Sequence, residues 1–183
     1  MPRPALDPLR VAARLVGLLG DRALLIGGYA VAAWGFSRAT EDVDLAVDLT
    51  ATEAQRRLTT GGLEVRKTRG DVHEGDIAWV LSGQVEGVPF QIMPPPVVLD
   101  WSRAREIVIG GSRLKVVDLQ DLLCLKLKAG APKDLMDVTE LLAAHPDLTT
   151  ETKKIAAAYG VGPNLDLWIA RRRPRPGTRE AKE

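Results

Sequence analysis

Polar and apolar positions change period several times along this chain, and each change marks an element. Behind Asp7-Pro8, a side-chain cap followed by a first-turn proline, apolar residues recur at helical spacing and predict an amphipathic helix through Leu19. Arg22 to Ile26 reads as a short strand that ends in Gly27-Gly28, and Tyr29 to Trp34 has helical composition until Gly35 stops it. From Asp42 to Val47 the period is two, so Val43, Leu45 and Val47 face a core while Asp42 and Asp44 share the opposite face. Thr50 to Glu53 forms a capping box for a helix to about Thr59, closed by Gly61-Gly62.

The next stretch reads as strands. Leu63 to Lys67 is one, Arg69 to Gly75 is a polar turn, and Asp76 to Leu81 pairs with Val85 to Met93 as a hairpin across Ser82-Gly83-Gln84. Three prolines, Pro94 to Pro96, mark an exit from the sheet. Arg105 to Ile109 and Arg113 to Val117 make a second hairpin about Gly110-Gly111. Asp118 then caps a helix from Leu119 to Lys128, and a new helix starts near Pro132 with Asp134 in its first turn and Leu135, Val138, Leu141 and Leu142 facing inward. Thr150 to Tyr159 and Leu165 to Ala170 are further helical segments, and from Arg171 the chain reads as a disordered basic tail. The order of elements is that of an α+β protein: a core over 1–117, a helical extension over 118–170 and a tail over 171–183.

Composition narrows the classes. With 183 residues, 45% hydrophobic and 27% charged, the chain can bury one core. Its net charge of +1 offers no global attraction to nucleic acid, so such a partner needs a local basic patch. Cys124 is the one cysteine, which excludes an intrachain disulfide and a thiolate metal site and reads as an inert buried thiol. His73 and His145 belong to no metal or triad motif and read as surface or loop residues. Arg10 and Arg14 break up any leader-like run and no apolar stretch approaches eighteen residues, so a cytoplasmic protein with no membrane partner is expected.

The candidate chemistry lies between Leu24 and Asp48. A glycine pair between strand and helix lets backbone approach a ligand, and the unpaired N–H groups of the helix start suit a phosphate. After thirteen intervening residues, Asp42 and Asp44 stand on one strand face, where they repel each other unless a cation sits between them. Carboxylate oxygens of this kind suit Mg²⁺ or Mn²⁺ carried with substrate phosphates. Taken singly, the glycine pair is a common turn and Asp-x-Asp a common solvated edge. Their joint spacing singles them out.

Gly27-Gly28, the thirteen-residue gap and Asp42-Val43-Asp44 resemble the signature of the nucleotidyltransferase superfamily, whose fold is like the palm of DNA polymerase beta. Lys126, Lys133-Asp134 and Asp137 are similar to the downstream motif of AbiEii-like toxin nucleotidyltransferases and related minimal nucleotidyltransferases. The likeness covers roughly residues 5 to 145. It implies a mixed twisted sheet flanked by helices with a small C-terminal helical part, and transfer of a nucleoside monophosphate from a nucleoside triphosphate to a hydroxyl of RNA such as tRNA, a protein or a small molecule. A toxin–antitoxin or phage-defence role, with a cognate antitoxin as partner, goes with it.

By the same resemblance Asp42 and Asp44 hold the metal and Gly27, Gly28 and Tyr29 cradle phosphates. Lys126 reaches the nucleotide, and Asp134 and Asp137 order Lys133 or the acceptor. Arg38 and Thr40 stand as phosphate contacts or, equally, as loop anchors; Lys126 and Lys133 have plain surface lysines as their alternative, and Asp134 a helix-start charge. The family's third carboxylate falls on Gln91, a neutral amide that can ligate a metal but cannot offset charge. Glu86, Asp76 and Asp100 are the substitutes in reach of the pattern. Without one, the alternative is a nucleotide-binding or regulatory domain of impaired activity.

Overall fold

Asp7 Oδ1 accepts a hydrogen bond from the Leu9 N–H at 3.0 Å and Pro8 takes the first turn, so α1 (Pro8–Leu19) begins where its cap predicts. The computed structural model describes residues 7–70, 77–109 and 111–172. After α1 come β1 (Ala23–Ile26), α2 (Gly27–Ala33), β2 (Val43–Val47), α3 (Ala51–Thr60), β3 (Val65–Arg69), β4 (Trp79–Val85), β5 (Val88–Met93), β6 (Arg105–Ile109) and β7 (Ser112–Val116). Four helices follow: α4 (Leu119–Ala129), α5 (Pro132–Ala144), α6 (Thr149–Ala158) and α7 (Gly162–Arg171). Among the described residues seven strands form one sheet in the order β3-β4-β5-β2-β1-β7-β6. β2 pairs parallel with β5 and β1 parallel with β7, while the other neighbours are antiparallel. This is the mixed, helix-flanked sheet expected from the sequence.

β2 sits at the centre of that sheet, and its alternation explains the site. Val43, Leu45 and Val47 are buried in the hydrophobic core. On the opposite face Ala46 is also buried, so only the start of β2, at Asp42 and Asp44, is open to a ligand. Leu15, Leu19, Leu58, Leu81, Phe90 and Ile92 belong to the same core.

Several boundaries differ from the sequence reading. β4 runs straight through Ser82-Gly83-Gln84, and the hairpin turns at Glu86-Gly87 instead, with φ of 51° and 88° and Val85 opposite Val88. Two successive left-handed residues make the kind of two-residue loop that matches strand twist. Gly83 is a packing residue: a Cβ there would lie 2.7 Å from both the Phe90 ring and the Glu64 carbonyl. β3 starts two residues later than expected, because the Leu63 N–H is spent on the Leu58 carbonyl at 3.0 Å, closing α3. Only half of the capping box forms. Thr50 Oγ1 accepts from the Glu53 N–H at 3.2 Å, but the Glu53 carboxylate turns to Arg56 and Arg57. α2 starts at Gly27 itself, and α7 extends from Gly162 to Arg171, so the tail's first residue is helical and Arg172 reaches Glu140 at 3.3 Å. The rest of the tail, His73, Asp76 and the turn around them lie outside the described residues. No described helix is long and apolar enough to cross a membrane.

Candidate functional site

The end of β1 feeds directly into α2, and the joint is formed by Gly27, with φ of 67°. A Cβ at Gly27 would collide with the Asp44 carboxylate, and one at Gly28 would lie 2.6 Å from Thr40 Oγ1. The glycine pair is therefore required twice, for a left-handed turn and for close approach to β2. Asp44 lies opposite Ile26 on β1 and opposite Gln91 on β5, flanked by paired strands on both sides.

Together these residues floor a cleft of about 670 Å³. Gly27, Gly28, Asp42 and Asp44 line it from below, with Gln91 and Met93 of β5 beside them. α4 supplies Leu122, Leu125, Lys126 and Ala129 to the facing wall, and α5 supplies Lys133 and Asp134. Glu41, Ile77 and Val80 also reach it, and none of these three was singled out by sequence. The signal that could have found Glu41 is its place beside Asp42, where the chain enters β2.

Burial, and then the charge of Asp42, push the Asp44 carboxyl up to about 6, against the opposing pull of Lys126, Lys133 and Arg38. That has a sign. A carboxyl raised in the folded state favours its protonated form, so its contribution to stability is present below the unfolded value near 4 and lost as pH rises through about 6. In chelator, Asp44→Asn should therefore raise the melting temperature at pH 7.5 and leave it nearly unchanged at pH 4. The upper limit is about 3 kcal/mol at 1.36 kcal/mol per pKa unit. Thermal melts at the two pH values check this; equal shifts at both would overturn it.

The lysine and arginine positions are held by a buried charge network. Asp137, wholly buried, accepts from Arg38 Nε at 2.7 Å and Arg38 Nη2 at 2.9 Å, and pairs with Lys126 Nζ at 3.0 Å. Lys126 Nζ also donates to Asp134 Oδ1 at 2.8 Å. The resemblance assigned Asp134 and Asp137 to Lys133 or the acceptor, but both instead hold Lys126. Arg38 is anchored to α5 and to the Ala39 carbonyl, so it fixes the segment leading into Asp42 while still lining the cleft. Lys133 is exposed, lines the cleft, and has no ion-pair partner among the described residues.

Tyr29 is near the site but not in it. Its hydroxyl donates to the Thr40 carbonyl at 3.0 Å, and burial followed by the charges of Asp7 and Asp42 raises its pKa. Thr40 Oγ1 is 3.5 Å from Asp42 Oδ1, long for a hydroxyl hydrogen bond, and its side chain reaches the cleft beside Gly28. His145 stacks edge-on to Trp34 at 6.2 Å, and the half-buried Cys124 has its thiol pushed up by burial, so neither serves this cleft.

Gln91 stands in register beside Asp44 and faces the same cleft. Of the substitutes, Glu86 is in the hairpin turn, and Asp100 caps a 3₁₀ turn at Trp101–Arg103 and pairs with Arg103 at 3.1 Å. Neither lines the cleft. Among the described residues no three carboxylate, histidine or cysteine side chains converge. Two carboxylates and an amide oxygen fit one hard divalent cation brought in with phosphates; they do not fit a pair of such ions.

No family model and no curated protein sequence matches this chain. Solved structures do match its fold. The nucleotidyltransferase ANT(2'')-Ia, an antibiotic-resistance factor, superposes with a TM-score of 0.57 at 13% identity over 91% of this chain and 100% of its own. An antigenic nucleotidyltransferase-like protein from Paracoccidioides brasiliensis gives 0.53 at 16% identity, covering 94% of this chain and 96% of that one. A Thermotoga maritima protein assigned as a nucleotidyltransferase gives 0.51 at 17% identity over 90% and 93%. The chain has the fold these proteins share.

Proposed function

We propose that this chain transfers a nucleoside monophosphate from a nucleoside triphosphate to a hydroxyl acceptor. The observation that carries the reading is the convergence of Asp42, Asp44, the Gly27-Gly28 turn, Lys126 and Lys133 on one cleft. A Mg²⁺ or Mn²⁺ ion held by Asp42 and Asp44 would supply neutralisation of the triphosphate charge. The Gly27-Gly28 turn lets the phosphates approach the backbone without side-chain obstruction. Lys133, exposed in the cleft lining and without an ion-pair partner among the described residues, supplies positive charge to the outer phosphates. Lys126, buried and bonded to two carboxylates, keeps its ammonium fixed on the wall facing Asp44. Phosphoryl chemistry needs mainly positioning and charge, and these residues provide both. The apolar wall of Leu125 and Val80 suits the flat face of a base.

A second reading, a nucleotide-binding domain with impaired chemistry, is favoured by Gln91. One experiment weighs the two: incubation with Mg²⁺, each α-labelled triphosphate and a mixture of acceptors, for the wild type and for Gln91→Asp. If only the third carboxylate is missing, Gln91→Asp should increase transfer at least about tenfold, the order expected when one charged ligand completes a site. Without metal the same change should lower the melting temperature, since it adds a third carboxylate beside the Asp42–Asp44 pair. A fully active wild type whose activity falls in Gln91→Asp would set aside the impaired-domain reading.

A further inference from the structure

The face bearing Asp42 and Asp44 does not end at β5. Asp44 lies opposite Gln91, Gln91 opposite Ser82, and Ser82 opposite Arg66, so one polar row crosses β2, β5, β4 and β3. Residues paired across neighbouring strands share a face. The row before it, read from Val43 opposite Phe90, Gln84 opposite Pro89 and Val65 opposite Gly83, brings Asp42, Pro89, Gln84 and Glu64 together. Phe90, Ile92 and Leu81 turn to the core, which leaves this polar side as the open one. A solvated face of an antiparallel sheet would also be polar. Here, however, the face is concave: it forms a second cleft of about 680 Å³, and that cleft shares Glu41, Asp42 and Gln91 with the first.

We infer that this second cleft is the acceptor site, and that it takes a polyhydroxylated small molecule bearing ammonium groups, of amino-sugar type, rather than a nucleic acid end. The inference rests on the proposed transfer reaction. In-line displacement requires the attacking hydroxyl and the leaving pyrophosphate on opposite sides of the α-phosphorus. A triphosphate over Gly27-Gly28 therefore leaves the β5 side of Asp42 for the acceptor. There the acceptor oxygen bonds the α-phosphorus, the bond from that phosphorus to the bridging oxygen breaks, its electron pair leaves with pyrophosphate, and the hydroxyl proton passes to solvent.

The lining decides the class. Ser82, Gln84 and Gln91 can each donate and accept, as recognition of hydroxyls requires. Glu41 and Glu64 only accept, and without counting Asp42, whose charge the metal takes, they still outnumber Arg66, the one cation in the lining. That balance attracts ammonium groups and repels phosphodiesters. Pro89 gives an apolar surface for the C–H face of a sugar ring, and the volume is in the range of small-molecule sites.

The test is a pair of size-matched probes, the fully deacetylated glucosamine trimer and its neutral counterpart cellotriose, titrated into ¹⁵N-labelled full-length protein with Mg²⁺ and a non-hydrolysable ATP analogue. The expected result is saturable movement of the Glu64, Ser82 and Gln84 amides with the glucosamine trimer, at least tenfold tighter than with cellotriose. Glu64→Gln should remove most of that preference while the Gly27 and Gly28 amides still respond to nucleotide. Equal binding of the two probes, or no movement of the β3–β4 amides, overturns the inference. So does a single-stranded RNA oligonucleotide that moves those amides in preference to the trimer. Failure of the glycine amides to respond to nucleotide is a different result, since it removes the transfer reading and the acceptor role with it.

Discussion

Asp42→Asn with Asp44→Asn is expected to abolish metal-dependent triphosphate binding and to reduce transfer by at least about a hundredfold. Charge stabilisation by a bound ion contributes several kcal/mol, and each 1.4 kcal/mol is a factor of ten. The loss should come without loss of fold. No described hydrogen bond rests on the Asp44 carboxylate, and its burial beside Asp42 is unfavourable until a cation arrives. In chelator the double variant should therefore melt at or above the wild-type temperature at neutral pH, and added Mg²⁺ should stabilise only the wild type. Calorimetry with Mg²⁺ and each triphosphate checks the claim. Unchanged metal-dependent affinity in a folded double variant would remove the two aspartates from the site.

Those two residues were legible because everything that defines them is local. Alternation along Val43 to Val47 follows from a two-residue period, and the Gly27-Gly28 joint follows from the need for a residue tolerating a left-handed turn. Turn chemistry was less legible. Ser82-Gly83-Gln84 looks like a hairpin loop, yet its glycine is there because Phe90 and the Glu64 carbonyl leave no room for a side chain. The true turn carries a non-glycine residue, Glu86, in the left-handed region, which composition alone does not single out.

Long-range pairing was not legible at all. Arg38 and Asp137 are 99 positions apart, and nothing in either segment names the other. The resemblance drew attention to Asp134 and Asp137 but matched them with Lys133, four residues or fewer away, or with the acceptor. In the fold their partners come from α4 and from the segment before β2, because α5 packs against α4 with its acidic side turned toward Lys126. The second cleft was hidden for a similar reason. Glu64 immediately precedes β3 while Ser82 and Gln91 come from β4 and β5, and only the register places them in rows beside Asp42 and Asp44.

The charge network also carries the second large expectation. Asp137→Ala should destabilise the protein by about 3 kcal/mol or more, within the range seen when one member of a buried ion pair is removed. Both carboxylate oxygens are in use and the residue has no exposure, so water cannot replace what is lost. Lys126 would keep Asp134, but Arg38 would lose its bidentate partner and the segment leading to Asp42 its anchor on α5. Binding should then suffer beyond what stability explains: at a temperature where the variant is fully folded, Mg²⁺–triphosphate affinity should fall about tenfold or more, because Asp42 is no longer held in place. Urea unfolding measures the first effect and calorimetry on the folded variant the second. Asp137→Asn retains acceptor geometry for Arg38 but not the charge that balances two cations, so it should fall between wild type and alanine in both measurements. An alanine variant as stable as wild type would mean that the Arg38–Asp137–Lys126 contacts contribute nothing net. One that is unstable but binds normally would make the network structural and remove its part in positioning the site.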